Sequence, residues 1–140
     1  MLKLFYSPGS CALASRIALE DAGADYEVVR VDFAKGEQRS PEYLKINPKG
    51  RVPALVTGKG ILTETPAILT YIAQSFPDAG LAPLDDAYAL AEMQAFNSYL
   101  SSTVHVNHAH GRRGARWADD ESSHADMKRK VSQTMARPWN

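Results

Sequence analysis

The chain has 140 residues, 44% of them hydrophobic, enough for one compact core with an appendage but not for a second full domain. Its 16 Lys and Arg balance 16 Asp and Glu, so no net field points to nucleic acid or to an anionic membrane surface as a partner. The single cysteine, Cys11, forms no internal disulfide, Pro8-Gly9 interrupts the N-terminal apolar stretch before a signal-peptide core develops, and no apolar run nears the ~20 residues of a bilayer span. A soluble protein in a reducing, cytoplasmic setting is expected.

A first strand is read over Leu2 to Tyr6, breaking at Ser7-Pro8-Gly9-Ser10 into a helical pattern from about Cys11 to Ala22. Leu13, Ile17 and Leu19 are among its apolar positions, and Gly23 suits a left-handed C-terminal cap. Tyr26 to Asp32 alternates and is rich in β-branched residues, as a half-buried strand requires. Ser40-Pro41 supplies an N-cap and a proline at N1 for a short helix through Tyr43, Leu44 and Ile46, which stops before Asn47-Pro48 and a Pro48-Lys49-Gly50 turn. Val52 to Val56 and Ile61 to Thr63 flank Gly58-Lys59-Gly60 as an antiparallel hairpin. Pro53 stands at its start, where a missing N–H is tolerated and a cis bond can persist. Thr65-Pro66 repeats the cap-plus-proline signal for a helix with Ile68, Leu69 and Ile72 inward, ending near Phe76-Pro77. The order β-α-β-α-β-β-α defines a mixed α/β domain.

Residues 78–84 read as a linker between a domain over 1–77 and a helical part over 85–140. Asp85-Asp86 can cap a long helix whose Leu90, Met93, Phe96, Leu100 and Val104 share one apolar face and whose expected end is Gly111. That face favours pairing with a second copy, and a homodimer is expected. Farther on the chain is charged, and Met127, Val131 and Met135 mark a last amphipathic helix before Pro138-Trp139-Asn140.

Three segments converge on one candidate site: Tyr6, Ser10 and Cys11 after the first strand, Val52-Pro53 at the hairpin start, and Glu64-Thr65 at a helix N-terminus. The first-turn N–H groups beside Cys11 favour an anionic sulfur, although a small inert hydrophobe closing the turn is an equally good reading of the residue alone. A strand edge interrupted by proline leaves the Val52 backbone able to pair with an extended peptide. The helix start at Thr65 offers N–H groups to a carboxylate, with Glu64 beside it for an amino group. Tyr6 is by default a strand aromatic and enters the site as a binding residue. His105 and His108 share a helix face with His110 close by, yet no cysteine or acid completes a tetrahedral set, so no metal is expected. Arg112, Arg113 and Arg116 are followed at once by Asp119, Asp120 and Glu121 and read as a solvated charged segment.

Three stretches, Phe5-Tyr6-Ser7-Pro8-Gly9-Ser10-Cys11, Ile46-Asn47-Pro48-Lys49-Gly50-Arg51-Val52-Pro53-Ala54-Leu55 and Leu62-Thr63-Glu64-Thr65, together resemble the glutathione transferase family, most closely its bacterial beta class. The resemblance implies a thioredoxin-like N-terminal domain followed by part of the family's all-α C-terminal domain. It also implies glutathione as co-substrate, no metal, and a small hydrophobic electrophile as second substrate, in detoxification chemistry. By position Cys11 would be the cysteine against the glutathione sulfur, Val52 the pairing backbone, Pro53 the cis-proline, and Glu64 with Thr65 the γ-glutamyl holders. Tyr6 and Ser10 would be auxiliary hydroxyls, Lys35 would reach the glycine carboxylate, and His105 would face the sulfur from the long helix. The helical half covers about two of the family's helices, and Ala136 to Asn140 reads as an arbitrary end, as in a truncated or frame-shifted relative. A thiol–disulfide oxidoreductase forming a mixed disulfide at Cys11, or a non-catalytic remnant, are the alternative functions.

Overall fold

The computed structural model describes residues 1–136; the expected Pro138-Trp139-Asn140 end lies outside them. The first compact unit is Met1–Ala91 and the second begins at Glu92. In the first, β1 (Leu2–Tyr6), β2 (Tyr26–Arg30), β3 (Ala54–Thr57) and β4 (Gly60–Thr63) form one sheet in the order β2-β1-β3-β4. β1 runs parallel to β2 and antiparallel to β3, and β3 and β4 are a hairpin. With α1 (Ala12–Asp21), α2 (Pro41–Ile46) and α3 (Thr65–Ser75), this is the thioredoxin-like α/β arrangement. The helix of residues 12–21 begins one residue later than the pattern suggests because Cys11 serves as its N-cap.

Alternation along β1 divides the core in two. Leu4 points to the face covered by α1 and α3, where it is buried with Leu19, Leu55, Ile68 and Ile72. Phe5 points to the other face and meets Tyr43 of α2 edge-on, with ring centroids 5.6 Å apart, in a second cluster with Ala12, Val31 and Val52. Leu69, expected inward, is only half-buried. Lys3 and Glu27, opposite each other in the β1–β2 register, form a 3.1 Å ion pair. Ser40 caps α2 as its sequence suggests, its hydroxyl accepting the Tyr43 N–H at 3.1 Å.

From Ala87 the chain is helical: α4 (Ala87–Tyr99), a π-helical segment (Leu100–Val104) and α5 (His105–Arg113). Asp86 is the cap, accepting the N–H groups of Tyr88 and Ala89 at 2.9 and 3.0 Å. The helix passes through Gly111 rather than ending there. In the second unit α5 packs on α6 (Glu121–Met135), and a Cβ on Gly111 would stand 3.2 Å from Val131 Cγ2. Glycine at that position permits close approach of the two helices. Asp120 caps α6, and hydrogen bonds from Ser122 and then Ser123 hold its carboxyl below the usual carboxylate range. Arg112, Arg113 and Arg116 are exposed. No helix among the described residues is long and apolar enough to cross a membrane, and no group of three metal-ligating side chains is present among them.

Candidate functional site

At the C-terminal end of β1 the chain turns through Gly9, at φ 68°, into α1. Ser10 holds this turn: its hydroxyl donates to the Ser7 carbonyl at 2.6 Å and accepts the Ala12 N–H at 3.3 Å. The turn leaves Cys11 exposed, with Sγ donating to the Val52 carbonyl at 3.7 Å. Two segments forty-one residues apart in sequence thus meet at one sulfur–backbone contact. Tyr6 is half-buried between the two core clusters, and the Arg16 guanidinium lies 5.4 Å above its ring. Hydrogen bonding, first to Tyr26 and then to Tyr6, keeps Arg16 even more firmly protonated than an ordinary arginine.

The Val52 backbone is held from behind. Tyr43 Oη and Asn47 Nδ2 both donate to the Arg51 carbonyl at 2.7 Å, and Asn47 Oδ1 accepts the Lys49 N–H at 3.1 Å. Carbonyl and N–H point in opposite directions across a trans peptide, so pinning the Arg51 oxygen toward α2 aims the Val52 N–H away from it. Val52 precedes the β3 ladder, and the Val52–Pro53 bond is cis. Burial of Tyr43 pushes its phenol up to about 12. Gly50 completes the turn at φ 61°, where a Cβ would meet the Gln38 carbonyl at 3.0 Å.

At the end of β4, Glu64 takes φ 72° and becomes the N-cap of α3 without using its side chain as a cap. Thr65 and Pro66 occupy the first turn, where Pro66 removes an N–H that the helix leaves unused. The Glu64 carboxylate forms an ion pair with Lys49, whose ammonium also donates to Thr63 Oγ1 at 2.9 Å.

Tyr6, Ser10, Cys11, Lys35, Val52, Pro53, Glu64 and Thr65 therefore all belong to the first unit, and His105 belongs to the second as the first residue of α5. Lys35 is exposed in the turn from Phe33 to Gly36. Sequence reasoning missed Tyr43, Asn47 and Lys49 as site-building residues. The first two had a signal, since a spacing of four puts two hydrogen-bonding side chains on one face of a short helix directly before the turn. Lys49 had none, because its partners lie fourteen and fifteen residues ahead.

Residues 1–74 match the family described as Glutathione S-transferase, N-terminal domain. A zeta-class glutathione S-transferase of Euphorbia esula is 45% identical over 102 residues, which are 72% of this chain and 45% of that protein. A glutathione transferase homologue from Sulfitobacter, solved with bound glutathione, is 52% identical with a TM-score of 0.93, over 97% of this chain and 65% of its own. The bacterial beta-class enzyme of Sphingomonas chungbukensis is 37% identical with a TM-score of 0.79, over 95% of this chain and 64% of its own. The chain spans about half the length of the curated relatives it matches.

Proposed function

The chain belongs to the glutathione S-transferase family, and from that membership we propose that it binds glutathione beside Cys11 and conjugates its thiolate to small hydrophobic electrophiles. The observation that carries this reading is the Cys11 Sγ contact to the Val52 carbonyl, which brings a thiol to a backbone segment lying just before the β3 ladder. An extended tripeptide pairing with Val52 would lay its central cysteine against Cys11. Its amino group would meet Glu64 and its α-carboxylate the Thr65 end of α3, where unpaired N–H groups favour an anion. Tyr6 and Ser10 are assigned auxiliary roles, Ser10 through the turn that presents Cys11. Lys35 is assigned to the glycine carboxylate.

In the conjugation the glutathione thiol gives up its proton to solvent, and the sulfur lone pair forms a C–S bond at the electrophilic carbon as a leaving group departs with its bonding pair, or as the π pair of a double bond moves to the neighbouring carbon, which takes a proton from solvent. The protein's contribution is stabilisation of the anionic sulfur before attack. No metal takes part in this scheme. Within the family we assign the beta class, from the three motif stretches and the 37% identity to the beta-class enzyme of Sphingomonas chungbukensis. A cytoplasmic role in detoxification as a homodimer completes the proposal. The one exposed cysteine suits a reducing compartment, and Phe96 and Leu100 expose apolar surface on the second unit.

Calorimetric titration with glutathione is the test. Saturable binding is expected, weakened more than tenfold by Glu64→Lys, because reversal places a cation against the ligand's ammonium. Binding that survives this reversal unchanged, or no binding at all, would refute the site. If binding holds, Cys11→Ser is expected to lower turnover of an aryl halide more than it lowers affinity.

A further inference from the structure

Lys49 is used by neither the core nor any helix cap, yet its side chain is fixed at two points. Its ammonium donates to Thr63 Oγ1 at 2.9 Å and pairs with Glu64 Oε1. Its backbone is anchored as well, since its N–H donates to Oδ1 of the buried Asn47 and the following Gly50 N–H donates to the Asn47 carbonyl at 2.9 Å. A lysine on a free loop would lose much rotamer freedom to make such a pair; here the turn has already placed it.

Glu64 complements this arrangement. Its left-handed backbone turns it out of the sequence of ordinary cap residues, and its carboxylate makes no bond to the α3 backbone. Among the described residues only Oε1 is engaged, by Lys49, and Oε2 carries no hydrogen bond. Holding one oxygen of a carboxylate by a doubly anchored cation orients its other oxygen.

Building on the glutathione reading above, we propose that Lys49 is a positioning residue that clamps one oxygen of Glu64, so that the other is aimed at the free amino group of a γ-glutamyl ligand. The charges then alternate: Lys49 ammonium, Glu64 carboxylate, ligand ammonium, ligand carboxylate, and finally the N–H groups of the α3 first turn. Each charge has opposite neighbours, so a head carrying both charges is favoured over one whose amine is capped. Lys49 thus contributes to discrimination through Glu64 without contacting the amino group itself.

The test is titration of the full chain with glutathione and with N-acetylglutathione. Lys49→Met is expected to weaken glutathione roughly fivefold, the upper range for an exposed ion pair, and to leave the acetylated peptide unchanged. Lys49→Arg should restore discrimination to within about twofold, since it can reach the same oxygen. In a Glu64→Gln background, Lys49→Met should have no further effect. An unchanged preference for the free amine in Lys49→Met, or tighter glutathione binding because lysine had been a competitor, would overturn the role of Lys49 alone. A Glu64→Gln protein that keeps full discrimination, or a wild-type chain that does not bind glutathione, would overturn the underlying reading instead.

Discussion

Asn47 occupies one of the least exposed polar positions in the first unit, at 1% exposure, and satisfies the turn from both ends of its amide. Asn47→Ala removes both bonds and leaves a cavity. It is expected to destabilise the fold by about 2–3 kcal/mol, measured by urea denaturation. Tyr43 shares the Arg51 carbonyl, and its phenol supplies a pH signature. The folded phenol titrates near 12, above its ordinary 10.0, so the unfolded chain releases this proton first. The stability from neutral Tyr43 is therefore complete below about pH 10 and lost as pH rises toward 12. Tyr43→Phe should flatten that alkaline decline while lowering neutral-pH stability by about 1 kcal/mol; a wild-type-like decline in the variant would assign the titration elsewhere.

Helix α1 contains a conflict between local chemistry and burial. Ser15 is fully buried and its hydroxyl has no hydrogen-bond partner among the described residues. Ser15→Ala deletes an unsatisfied group and raises helix propensity, and should stabilise the protein by roughly 0.5–1.5 kcal/mol; a lower melting temperature would reveal a partner for the hydroxyl. In the long helix, periodicity is sufficient to read Asp86 as a cap and Leu90 to Val104 as a continuous helical stretch. It does not reveal the π-helical segment at Leu100–Val104, because the change from i→i+4 to i→i+5 bonding leaves no residue-type mark in Leu-Ser-Ser-Thr-Val. Gly111 reads as a helix end in sequence, whereas α5 runs two residues further to Arg113 because the missing side chain at Gly111 lets Val131 of α6 pack close.

Over the whole molecule, the exposed Phe96 and Leu100 at 48% and 37% predict self-association. Light scattering should return twice the 15.3 kDa chain mass; a monomeric mass across working concentrations would contradict the homodimer. Most of the first unit was legible from sequence because its elements are marked locally: β-branched alternation in β2 and serine before proline at α2; at α3 the proline marks the helix start, but the cap is Glu64 and not the Thr65 of the expected cap-plus-proline signal. The segments of the candidate site carry local marks as well, since a cysteine at a helix start and a proline at a strand start restrict what the backbone can do. Three things were decided only by tertiary structure: that Cys11 Sγ meets the Val52 carbonyl, that Tyr43 and Asn47 share one carbonyl oxygen, and that Lys49 reaches Glu64. Composition and periodicity report what each segment does with its own neighbours, whereas these contacts depend on chain crossings in three dimensions. Sequence alone determined which groups were present and which elements would carry them; packing two layers against the sheet determined which of those groups face each other.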